Sequence, residues 1–230
     1  MNLLSAIFVA IIVLAVIPST AEAHLVTTGL GPFYDGAMHL LLSPGDLLGL
    51  MAASLLAGLH GARAGRLTVI ALPVAWFTAG LVGLNLPVTI VLPWLSVLSF
   101  VILGILVAID PKLPPAAVAL LAGLFGFLHG LLNGSALGKI GAGPLSLFGI
   151  AATVLIISLL LSACIVSLRT AWTRIAVRVA GSWVAAIGML MFGWLVRGTG
   201  GNDLRGIAWR RCGAACKNKA HATTRRRNDR

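Results

Sequence analysis

His129 and Asn133 stand four residues apart in the apolar stretch FGFLHGLLNG, Phe125–Gly134. On a helix that spacing stacks both side chains on one face, and Gly126, Gly130 and Gly134 repeat at the same interval beside them. Polar side chains at bilayer depth are costly and usually face a bundle interior or a pathway, so this stretch is the leading candidate for a functional site. A second set lies upstream in FYDGAMHLLLSPGD, which carries Asp35, His39, Ser43 and Asp46. Carboxylate oxygens beside imidazole nitrogens form the donor set that suits borderline divalent ions such as nickel, cobalt or zinc. Each residue also has a purely structural use. Ser43 and Asp46 have capping-box spacing, Asp35 could cap the preceding half-helix, and a buried imidazole at 39 or 129 could hydrogen-bond across a helix pair. The two uses of Asp46 are not exclusive; for Asp35 capping or interfacial exposure is preferred. His39, Asp46, His129 and Asn133 form the candidate site.

The elements that must hold these residues follow from composition. The 230 residues are 59% hydrophobic and only 10% charged, with a mean hydropathy of +1.01, whereas soluble domains carry about 25% charged residues. The expected fold is an all-α, polytopic membrane bundle with six transmembrane helices after an N-terminal signal peptide. Residues 1–23 read as the signal: an apolar run from Leu3 to Ile17, then a small-x-small pattern at Ala21-Glu22-Ala23, although no Lys or Arg precedes the run. An uncleaved anchor is the alternative. A membrane domain at 24–196 follows, and a basic, disordered tail at 197–230.

Within the membrane domain, a half-helix from Phe33 to Leu42 should break at Ser43-Pro44-Gly45-Asp46, with Ser43 as N-cap and Pro44 at the first helical position of the run to Leu59. Further spans are expected at Leu67–Leu84, Val88–Ile109, from Pro114-Pro115 to about Gly134, from Pro144 to Leu168, and at about Ile175–Val196. Ser135–Gly143 reads as a loop. Trp183 and Trp194 are candidate interfacial anchors. The glycine seam of the fourth span, with Gly45 and Gly49 in the first, favours packing of those two spans on each other, which would bring the four candidate residues together. Polar residues head each group of three spans, a pattern consistent with an inverted 3+3 repeat.

Charge orients the chain. The formal charge of +11 is no nucleic-acid signal, because ten of the 17 Lys and Arg lie beyond Val196. Arg63, Arg66, Lys112, Arg169, Arg174 and Arg178 fall on one side of a six-span topology and only Lys139 on the other, as the positive-inside rule expects. The tail itself would then lie outside; a seventh crossing at Leu3–Ile17 would bring it in, and an extension without function is a third reading. His60, beside Arg63, reads as a surface residue, and His24 as the mature terminus. Cys164 stands alone, and Cys212, Cys216 and His221 make too sparse a set for a metal site.

The histidine–aspartate first span and the His129–Asn133 motif together resemble the HupE/UreJ family of hydrogenase- and urease-associated membrane proteins, over about residues 24–196. That resemblance implies a permease for nickel or cobalt in a bacterial inner membrane, with no enzymatic activity, no tightly bound cofactor, and the lipid bilayer and a divalent metal ion as partners. Metallo-enzyme maturation proteins or a second copy of the chain are further partners it admits. Two departures matter. The family pattern has a histidine separated by five residues from an Asp-His pair, whereas six residues separate His39 from Asp46, and Leu47 follows. Its fourth-span His-Gly-x-Ala-His-Gly becomes His129 to Gly134 with Asn133 in place of the second histidine. Fewer nitrogen donors imply another ion, weaker binding or lost transport. A non-transporting accessory for metallo-enzyme maturation is the main alternative. An intramembrane metal-dependent hydrolase is less favoured, because such a site needs about three protein ligands and only two histidines lie in spans.

Overall fold

Proline sets where most of the helices begin. In the computed structural model, which describes residues 28–86, 93–168 and 172–197, five helices open on this residue: α1 (Pro32–Leu42), α2 (Pro44–Leu59), α4 (Pro93–Ile109), α5 (Pro115–Lys139) and α6 (Pro144–Ser167). Its fixed φ suits the first turn and its missing N–H costs nothing there. The other two are α3 (Ala62–Asn85) and α7 (Trp172–Arg197). The described residues contain no strand. The expected signal peptide and all of the tail beyond residue 197 lie outside them.

Four helices, α3, α5, α6 and α7, are long and apolar enough to cross a membrane. The α1–α2 pair passes the same test as one element bent by 78°. At 17 residues α4 reaches only about 26 Å at 1.5 Å per residue, against a hydrocarbon core of about 30 Å. This is an integral membrane protein, and large apolar side chains such as Ile70, Leu120, Phe148 and Leu160 are exposed on the outside of its helices.

The break between α1 and α2 lies at Ser43, in extended geometry at φ −95° and ψ 90°, where it is the C-cap of one helix and the N-cap of the next. Pro44 takes the first position of α2, as the local sterics demand. One expected device is missing: neither Ser43 nor Asp46 makes a side-chain cap, because the Asp46 carboxylate turns inward to partners on another helix. Asp35 also differs from a cap. It accepts bonds from the backbone N–H and the hydroxyl of Thr28, both on Oδ1, and so ties the preceding residues to the first turn of α1.

The chain divides into two compact units, Met1–Gly188 and Met189–Arg230; of the second, the described residues are the last turns of α7. In the first, the most extensive contact is between α3 and α5. Gly126, Gly130, Gly134 and Gly138 of α5 lie against the backbones of Leu72, Trp76, Gly80 and Leu84 of α3, one turn apart on each helix. The glycine seam therefore packs on the second span, and the expectation that it would face the first is corrected. Gly49 of α2 meets the rings of Phe125 and Phe100 instead, and Phe100 also covers Gly45. Helix α6 packs on α1, α2 and α3, and α4 on α2.

Two other expectations change. Helix α5 continues to Lys139, so Ser135–Lys139 is helical and not a loop; Gly138 on Leu84 extends the same seam. Trp183 lies near the middle of α7, not at its end, and is exposed; it does not stand where a headgroup anchor would.

The turn from α2 to α3 is made by Gly61 at φ 90° and ψ −180°, a region essentially restricted to glycine that costs a residue with a Cβ about 1–3 kcal/mol. Gly61→Ala is expected to lower stability by roughly that amount, measured as a fall in the thermal midpoint of the purified protein. Since a Cβ at Gly61 meets nothing within 4 Å, an unchanged midpoint would mean the turn relaxes to another geometry.

Candidate polar site in the helix bundle

The α1–α2 break places two side chains that a continuous helix would separate. His39 is in the last turn of α1 and Asp46 in the first turn of α2, and both reach Asn133. On α5, the four-residue spacing puts His129 and Asn133 on one face while the glycines beside them lie on α3.

The structure brings all four candidate residues into one hydrogen-bonded ladder. His129 Nδ1 lies 2.6 Å from Asp46 Oδ1. Asn133 Nδ2 donates to Asp46 Oδ2 at 2.9 Å and to the His129 carbonyl at 2.8 Å. With both amide protons directed there, Asn133 Oδ1 is the acceptor facing His39 Nε2 at 3.1 Å, so that nitrogen carries a proton. His129, Asn133 and His39 are 1%, 5% and 9% exposed. Three rings box the His129 imidazole, with Phe125 at 4.2 Å between centroids, Phe100 at 5.3 Å and Trp76 at 5.9 Å. An apolar wall of this kind strengthens every polar contact inside it and makes a broken one expensive.

Sequence reasoning missed Ser99. Its hydroxyl, on α4, lies 3.1 Å from His129 Nε2 and 2.6 Å from the Ser96 carbonyl. One hydroxyl proton cannot serve both. If it goes to Ser96, His129 Nε2–H donates to Ser99 and the ring is an imidazolium; if it goes to Nε2, the ring is neutral. The signal was present, since Ser96 and Ser99 fall three residues apart in an otherwise apolar run. Trp76 was missed as well: it is fully buried beside His129, and its indole N–H has no acceptor among the described residues.

Other singled-out residues lie elsewhere. Both ring nitrogens of His60 lie 2.8 Å from backbone carbonyls, those of Leu56 and Pro111, at the opposite end of α2 from Asp46. Cys164 is exposed. His24, Cys212, Cys216 and His221 lie outside the described residues.

As a ligand set, the ladder offers imidazole nitrogen, carboxylate oxygen and amide oxygen. Among the described residues no three His, Cys, Asp or Glu side chains group as a metal-holding set. Asp46 and His129 bond each other, and a cation entering between Oδ1 and Nδ1 must displace the proton they share.

A family model described as HupE / UreJ protein matches residues 12–191. No curated protein and no solved structure matches the chain significantly.

Proposed function

The chain belongs to the HupE/UreJ family, and from that membership together with the buried polar ladder we propose that it is a membrane permease for a divalent transition-metal cation, nickel or cobalt first. The observation that carries the reading is the Asp46–His129 contact of 2.6 Å inside an aromatic box, with Asn133 and His39 continuing the polar line toward the α1–α2 break. A carboxylate and an imidazole supply a charge and a nitrogen donor, while the amide oxygen of Asn133 adds a weaker one. A transported ion must be released as well as bound, so a ligand set of moderate strength suits the task.

In this proposal the chain crosses a cytoplasmic membrane six times, with the bent α1–α2 pair and the short α4 as crossings beside the four long helices. The end bearing Arg63, Arg66, Lys112, Arg174 and Arg178 faces the cytoplasm. The bonds of His60 to Pro111, of Arg174 to Asp110 and of Arg178 to Ala108 gather these segments at one end.

The test is metal accumulation in cells expressing the protein across nickel, cobalt and zinc. His129→Ala is expected to reduce uptake, normalised to the amount of protein in the membrane, to the level of cells without the protein. Unaltered accumulation of all three ions in that mutant would sink the permease reading.

One observation favours a second reading. Every residue of the ladder already has a side-chain partner within it or in its surroundings, as a structural clasp would require. A non-transporting accessory for metallo-enzyme maturation would use the ladder to hold α1, α2, α4 and α5 together. It predicts that metal accumulation is independent of the protein, whereas hydrogenase or urease maturation depends on it.

A further inference from the structure

At the basic end of the first unit, a groove of about 440 Å³ opens between the first turns of α3 and the last turns of α6. Small residues make it: Ala62 and Gly65 on α3 and Ala163 on α6 leave space between walls formed by Val69, Leu159 and Val166. Its two serines are already satisfied, Ser162 donating to the Ser54 carbonyl and Ser167 to the Ala163 carbonyl. The remaining polar group is the guanidinium of Arg66, an exposed residue in the lining. Among the described residues no carboxylate answers it. The three acidic residues among the described ones are engaged elsewhere, Asp35 by Thr28, Asp46 by His129 and Asn133, and Asp110 by Arg174.

An apolar groove long enough for part of an acyl chain, open to the outside of a membrane protein and topped by a guanidinium that has no carboxylate partner among the described residues, matches one chemical class. We propose that this groove binds an anionic phospholipid, with the acyl chain against Val69, Leu159 and Val166 and the headgroup phosphate on Arg66. Arginine suits the role because its planar fork can donate two bonds to a phosphate. Charge complementarity separates this occupant from a zwitterionic lipid such as phosphatidylcholine, whose phosphate is already countered by its own ammonium group. A second copy of the chain would have to bring a carboxylate to Arg66.

The test is native mass spectrometry of the full chain released from mixed micelles of equal phosphatidylglycerol and phosphatidylcholine, which reads bound lipid and oligomeric state together. The expected result is a monomer carrying one phosphatidylglycerol in about fivefold preference, the factor one basic residue near an anionic headgroup contributes. Arg66→Gln should bring the preference close to one and Arg66→Lys should retain most of it. Ala163→Trp, which fills the groove from an exposed position, should remove bound lipid of both kinds. Lys112→Gln, at the same end but outside the groove, should leave the preference intact. Equal retention of the two lipids by the unaltered protein, an equal loss of preference in Lys112→Gln, or a lipid-free dimer each overturns the proposal.

Discussion

Asp46→Ala is expected to destabilise the protein by about 3 kcal/mol, the upper end of the cost of leaving a buried donor without its acceptor, and to abolish metal accumulation. The carboxylate accepts two bonds, from His129 Nδ1 at 2.6 Å and Asn133 Nδ2 at 2.9 Å. Removing it leaves His129 Nδ1–H without its acceptor on a ring packed against Phe100 and Phe125, while Asn133 retains only the His129 carbonyl on that side. The Asp46 side chain is 17% exposed and His129 only 1%, so water cannot fully replace the lost acceptor. At about 2–4 °C per kcal/mol for a chain of this size, the thermal midpoint followed by tryptophan fluorescence should fall by roughly 10 °C.

A second substitution separates stability from function. Replacing a buried pair with apolar side chains is often neutral, because desolvation of the charges offsets their attraction. Asp46→Leu combined with His129→Leu should therefore recover most of the midpoint lost in Asp46→Ala, yet take up no metal. Recovery of both would leave the ladder with a structural role alone. An Asp46→Ala midpoint equal to that of the unaltered protein would show that the carboxylate is solvated and that the contact carries little energy.

The same residue shows how far sequence could reach. The break at Ser43-Pro44 was legible because its cues are local: the proline ring disfavours helical geometry at the residue before it and suits the first position of a new helix, although Pro73 within α3 shows that packing can override the first of these. The face shared by His129 and Asn133 was legible for a similar reason, since helical periodicity fixes it. What Asp46 does was not, because two partners competed for it. The cap was close in sequence, but His129 and Asn133 arrive from more than eighty residues away, and only the packing of α5 beside α2 decides for them. Ser99 is hidden in the same way: a serine in an apolar helix can satisfy itself on its own backbone, as Ser99 does on Ser96, and nothing local reveals that the hydroxyl also faces His129. Helix α5 outruns its expected end because Ser135 and Gly138 read as loop residues one by one, whereas the contact of Gly138 with Leu84 continues the interface through Lys139.

Membership of one seam also could not be assigned from spacing. Glycines four apart announce a close helix approach but not the partner, and the partner proves to be α3. Gly130→Leu tests how much the fold depends on it. A Cβ at Gly130 would run into the Trp76 backbone, and one at Gly134 into the Gly80 backbone. Overpacking usually costs about 1–3 kcal/mol; here the obstacle is the main chain of α3, which cannot rotate away as a side chain can, so a loss of about 3 kcal/mol or more is expected. The protein should accumulate poorly and elute as aggregate from size exclusion in detergent. Gly123→Ala on the same helix is the control. A Cβ there meets nothing within 4 Å, and alanine favours the helix by about 0.5–1 kcal/mol, so that variant should be as stable as the unaltered protein or more so. The seam also positions the site: Trp76, whose backbone Gly130 touches, is one of the three rings around His129. Any Gly130→Leu protein that does fold must therefore shift α3 away from α5 and open the aromatic box. If it instead kept both full stability and metal uptake, neither the close approach nor the box would be needed to hold the ladder.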